Sequence, residues 1–142
     1  MRLLIILCLS GIPLFTNAQP EKEIKTQIDS LVSYIGNKAT ESFAMNTVYR
    51  GEDSKRKWKD VNDPANPDEL KYVKGVIEQF KKAMNGCNYR EFDNIKQDKQ
   101  GEGLWHIYTY ACGASKKIHL AFLKIKGKYA LGDIDVEEAG EE

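Results

Sequence analysis

The 142-residue sequence predicts an α+β fold, with N-terminal helices packed on one face of a four-stranded antiparallel meander. Two observations carry this. Apolar residues recur with a helical period as far as Gly86 and in strand-like runs after it. The later runs are separated by short polar or glycine-containing breaks, which join antiparallel neighbours. Helices first and strands later is the α+β order.

The first eighteen residues have the organisation of a cleaved signal peptide. Arg2 supplies the charge, Leu3 to Leu9 an apolar core, and Thr16-Asn17-Ala18 the small residues of a cleavage site. Gly11 and Pro13 interrupt the run, which is too short to anchor in a bilayer. Cys8 lacks the small preceding residues of lipoprotein processing. Cleavage would start the mature chain at Gln19 and leave 124 residues (142 − 18), enough for one domain over 19–136. Glu137 to Glu142 (EEAGEE) reads as a flexible acidic tail.

Ile24, Ile28, Leu31 and Ile35 then mark an amphipathic helix over about 21–35, ended by Gly36-Asn37. Residues 37–66 fit either a short helical turn or an irregular crossing strand. Asn62-Asp63-Pro64 and Asn66-Pro67 mark turns. The next helix has the fullest set of signals. Asn66 caps it, Pro67 fits the first position, and Asp68 and Glu69 suit the positive helix terminus. Leu70, Val73, Ile77, Phe80 and Met84 form its apolar stripe, and Gly86 ends it.

Four strands are expected at Cys87–Ile95, Leu104–Cys112, Lys117–Ile125 and Lys128–Val136. Cys87 and Cys112 are an even pair in a chain with an export signal, so a disulfide is expected between them. Placing them opposite each other across the first hairpin puts residues 96–103 in its loop. Pairing Cys112 with Lys117 sets the next hairpin. This register assigns Phe92, Trp105, Ile107, Ile118, Leu120, Phe122, Tyr129 and Leu131 to the helix-covered face. It assigns Tyr89, Glu91, Asp93, His106, Tyr108, Tyr110, His119, Leu123 and Ile125 to the other.

The helix-then-meander order, and the run Phe122-Leu-Lys-Ile-Lys-Gly-Lys-Tyr-Ala-Leu-Gly-Asp-Ile-Asp135, resemble small exported domains of the cystatin-like and NTF2-like group. The resemblance spans residues 67–136 and implies a curved sheet wrapped around a helix. The helix–helix–meander order is also similar to the unit of the β-lactamase-inhibitor-protein fold. A cystatin inhibitor would carry a QxVxG-type wedge, which this sequence lacks, and fold alone transfers no function.

Candidate chemistry is sparse. In the expected register Asp93 faces His106, an arrangement that could orient the ring for acid–base work or be an ordinary cross-strand pair. His106 and His119 would be offset by about 13 Å along the strands, too far to share a zinc, so no metal is expected. Tyr89, Tyr108 and Tyr110 would form an aromatic patch able to bind a ligand, unless residues 37–66 fold over it. Trp58, within Lys55-Arg-Lys-Trp-Lys59, is either a docking anchor or a cover on the core edge. No catalytic, nucleotide-binding or metal motif is present, and no cofactor is expected.

The whole chain has 21 basic and 21 acidic residues, giving no general attraction for nucleic acid. The first expectation is therefore an exported module, periplasmic or secreted, that binds a protein, peptide or small ligand without catalysis. It would do so through its sheet face or the 49–66 loop, with no integral membrane segment after cleavage. The alternatives are a small NTF2-like enzyme using His106 with Asp93, and a structural accessory domain of the cell envelope.

Overall fold

The computed structural model describes residues 18–89, 92–100 and 103–138. The expected leader lies outside these residues except for Ala18. Among the described residues three helices come first: α1 (Ala18–Gly36), α2 (Thr40–Ala44) and α3 (Pro67–Met84). The strands β1 (Phe92–Gln100), β2 (Gly103–Ala111), β3 (Lys116–Ile125) and β4 (Lys128–Glu138) follow. They pair antiparallel in the order β1-β2-β3-β4, so the fold is α+β. Among the described residues, no helix is long and apolar enough to cross a membrane.

The helices form where their apolar periods place them. Ile24, Ile28 and Leu31 of α1 are fully buried. In α3 the side chain of Asn66 accepts from the backbone N–H groups of Asp68 and Glu69, with Pro67 opening the helix. The α3 stripe buries Val73, Ile77 and Phe80, and Phe80 meets Phe43 of α2 edge-on, with ring centroids 5.8 Å apart. Residues 37–66 contain both of the alternatives expected there. A helical turn, α2, is followed by a crossing segment in which Thr47 bridges Leu131 in parallel and Val48 bridges Val61.

Cys87 and Cys112 are joined by a disulfide, with their Cα atoms 4.9 Å apart. The bond ties the chain just beyond α3 to the end of β2. It does not cross a hairpin ladder, because Cys87 precedes β1. The expected first hairpin is corrected accordingly. β1 starts at Phe92 and runs to Gln100, which pairs with Gly103, so most of the expected 96–103 loop is strand.

The second hairpin differs from expectation by a single residue. Ala111, not Cys112, pairs with Lys117, and Tyr108 pairs with Leu120. A one-residue slip exchanges the faces of a strand. The β3 and β4 assignments stand, but those of β2 are reversed: His106, Tyr108 and Tyr110 face the helices, and Trp105 and Ile107 face away. The tyrosines can occupy a core because their hydroxyls have partners. Tyr108 donates to the carbonyl of Tyr89 (2.8 Å) and Tyr110 to the sulfur of Met84 (2.7 Å). β4 also continues two residues beyond the expected end. Glu137 and Glu138 pair with Lys117 and Lys116, which removes them from the expected tail. Residues 139–142 lie outside the described part.

Among the described residues two apolar clusters result, one on each side of the sheet. The larger joins the three helices to Tyr108, Tyr110, Ile118, Leu120, Phe122 and Leu131. The smaller, on the outer face, holds Val48, Trp105, Leu123, Ile125 and Ala130, with Trp58 and Val61 packed against it. A register irregularity in β4 places Gly132 beneath Trp105, where an added Cβ would collide with the indole ring.

Candidate functional site

Residues 46–63 form the most elaborated polar structure among the described residues, and they cap the smaller cluster. The segment is fastened to the sheet by main-chain bonds, Val48 N–H to the Leu131 carbonyl (2.8 Å) and Leu131 N–H to that of Asn46 (2.9 Å). Asn62 is buried, and its amide donates to the carbonyls of Thr47 (3.1 Å) and Val48 (3.3 Å). A polar side chain is stable in such a place only with partners, and these bonds close the loop upon itself.

Arg56 is the centre of the loop. Its guanidinium donates two bonds to Glu69 of α3 (2.7 and 3.1 Å) and one to the carbonyl of Val61 (3.0 Å). It also stacks over the Tyr49 ring, 4.1 Å from the centroid. Glu69 accepts a further bond from the N–H of Asp63 (2.6 Å). The bond from Arg56 is the main reason the Glu69 carboxyl is held below its ordinary pKa, and the same bond raises that of Arg56. Asp60 is likewise lowered, first by its bond from Lys126. Forked pairing of this kind fixes orientation as well as charge.

Trp58 sits at φ 65°, a left-handed conformation costly for a large side chain. Packing holds it there. Its ring meets Trp105 edge-on (5.8 Å between centroids), with the Arg50 guanidinium 5.0 Å from the indole centroid. Trp58 is therefore half-buried and covers the edge of the outer cluster, while Lys55, Lys57 and Lys59 around it are exposed. Arg50 also reaches the carbonyl of Gly132 (3.1 Å) and Asp133 (3.3 Å).

Between this loop and the start of α3 lies a groove of about 460 Å³. Tyr49, Arg50, Gly51 and Asn62 line it from the loop, and Asn66, Asp68, Glu69 and Tyr72 from the helix side. Tyr72 is 42 % exposed, an aromatic side chain outside the apolar stripe of α3. That offset was a legible sign of an outward role. Arg56 and Glu69 carried no such sign, since thirteen residues separate them and neither repeats with a period.

The other sequence-expected site residues fall elsewhere. His106 is only 5 % exposed and its register partner on β1 is Gln97, so the expected pairing with Asp93 is corrected. Asp93 lies at a register shift, four residues from Gln97, or about 13 Å along the strand. The His106 ring packs edge-on against Tyr129, with centroids 5.0 Å apart, and burial lowers its pKa. His119 faces Thr109 rather than Tyr110, with Nδ1 2.8 Å from the Thr109 hydroxyl and Nε2 3.2 Å from Glu137. The two histidines point to opposite sides of the sheet, which rules out a shared metal. Among the described residues, no group of three or more His, Cys, Asp or Glu could hold an ion.

The expected aromatic binding patch is also corrected. Tyr108 and Tyr110 are fully buried, and burial pushes both phenols well above the ordinary range. Tyr89 is half-buried, and its hydroxyl donates to Asp29 of α1 (2.5 Å). Compared with protein-family models, curated proteins and solved structures, the chain matches none at a significant level.

Proposed function

We propose that the protein is an exported, non-catalytic binding module of the cystatin-like/NTF2-like type, presenting its ligand site in the groove between the 49–52 loop and the first turns of α3. The observation that carries this reading is the combination of an exposed aromatic, Tyr72, with Arg50 on a groove whose walls are locked by the Arg56–Glu69 fork. Loops held by a rigid scaffold are where binding residues concentrate, and preorganisation lowers the cost of association. The enzyme alternative loses its geometric basis, because Asp93 and His106 are not register partners. The disulfide suits an oxidising compartment, periplasmic or extracellular.

The reading is tested by following backbone amide resonances of the purified protein against panels of peptides, oligosaccharides and small metabolites. Shifts should cluster at Tyr49–Glu52 and Tyr72, and Tyr72→Ala should weaken the strongest ligand about tenfold, a loss typical of a removed aromatic anchor. Catalytic turnover of any panel member would overturn the reading. So would the absence of shifts at Tyr49–Glu52 and Tyr72 with every member of the panels.

A further inference from the structure

A second surface lies on the helical side, away from the groove. Helices α1 and α3 both pack into the large apolar cluster, each alongside α2 and β4. The space between their C-terminal halves is a trough with two continuous parts, of about 520 and 270 Å³, which share Ile35, Glu78 and Lys81. Its apolar lining comes from Val32 and Ile35 of α1 and from Ile77, Phe80 and Met84 of α3. Its charged lining is lopsided. Lys38, Lys74, Lys81 and Lys82 stand along it against one acidic residue, Glu78, which is paired with Lys81 at 2.8 Å.

We infer that this trough between α1 and α3 docks an acidic amphipathic helix of a partner protein. An apolar stripe would fill the space over Val32, Ile35 and Met84, and flanking carboxylates would meet the lysines. That is the helix-in-groove mode of recognition, with charge setting the choice of partner. The stretch from Lys74 to Asn85 measures about 17 Å along the helix axis, room for about three turns of a partner helix. The disulfide one turn beyond α3 fastens this wall to β2.

Other occupants fit less well. A second copy offering its own α3 would bring Lys71, Lys74, Lys81 and Lys82 against the same lysines. The sequence after Glu138, Ala-Gly-Glu-Glu, has no large apolar side chain to fill the floor. The N-terminal seventeen residues are apolar but carry Arg2 and no carboxylate side chain. The proposal goes beyond the loop groove and does not depend on it.

The test uses a fluorescein-labelled peptide of about fourteen residues, with leucines on one helical stripe and glutamates elsewhere, beside a twin with lysine in place of each glutamate. The glutamate peptide should bind the purified protein at least about tenfold more tightly than its twin, and the gap should shrink with salt. Lys74→Glu combined with Lys82→Glu should reverse the preference. Both positions are exposed, and an unchanged melting temperature would show that the fold survives. Amide shifts should map to Val32–Lys38 and Lys74–Asn85. Equal affinity for the two peptides, or an unaltered preference in the double variant, would overturn the proposal. Binding to vesicles of anionic phospholipid with none to the glutamate peptide would also overturn it, in favour of a membrane. Peptide shifts confined to Tyr49–Glu52 and Tyr72 would overturn the trough while leaving the binding-module reading standing.

Discussion

The two faces of the sheet are held by different means. On the helical face, Phe80, Leu120, Phe122, Tyr108 and Tyr110 are fully buried among three helices, and apolar burial dominates. On the outer face, Trp105, Leu123, Ile125 and Ala130 lie under a segment that contributes Val48 and is fastened by Arg56, Glu69, Asp60 and Asn62. A small apolar patch gains little from burial alone, so the loop over it is closed by charged hydrogen bonds and a two-tryptophan contact. The contrast bears on the proposed site as well. The large cluster fixes the scaffold, and the ion-paired cap places Arg50 across the loop groove from Tyr72 of α3.

The largest effect should come from the helical face. Phe80→Ala removes a fully buried ring that touches Phe43, and should cost about 3–5 kcal/mol in urea unfolding. A loss no greater than that of an exposed substitution would mean that the two faces do not differ in the way described.

The cap should answer to charge instead. Glu69→Gln should cost about 2 kcal/mol, less than a fully buried pair because Arg56 is 28 % exposed. The variant should also lose part of the acid sensitivity of the protein. Glu69 has its pKa lowered by folding, so its stabilisation is present above the ordinary value of 4.5 and fades as pH falls through the lower folded value. Identical acid unfolding curves for Glu69→Gln and the parent would remove this carboxylate from the account of the cap.

Trp58 allows backbone strain to be separated from packing. Trp58→Ala and Trp58→Gly both lose the contact with Trp105, but only glycine relaxes the left-handed backbone. The glycine variant should be more stable than the alanine variant by about 1 kcal/mol. The reverse order would show that the loop changes conformation once the indole is gone.

The smallest effect expected is a pH dependence from His106. Its pKa is lowered by burial, so the unfolded chain takes up a proton more readily than the folded one. Stability should fall as pH drops below about 6.5, and the decline should level off beneath the lower folded value. His106→Gln should lack that first decline while keeping the one below 4.5 that belongs to Glu69. A parent curve that is flat between pH 7 and 5 would contradict the buried, neutral ring on the helical face.

The sequence by itself determined α1, α3, the β3–β4 hairpin and the disulfide partners. Asn66-Pro67 and the Leu70–Met84 stripe specify α3 through local rules of capping and period, which need no distant contact. The alternation of Ile118, Leu120 and Phe122 likewise set the faces of β3. Only the tertiary structure decided the face of β2, where Trp105 and Ile107 alternate with Tyr108 and Tyr110. Both sets are bulky and partly apolar, so alternation alone could not orient the strand. A one-residue difference in the following turn reversed it, and the hydroxyl partners at Tyr89 and Met84 made the tyrosines tolerable inside. The Arg56–Glu69 fork and the α1–α3 trough also depended on tertiary structure, because both arise between segments far apart in the chain, where no periodic signal links one partner to the other.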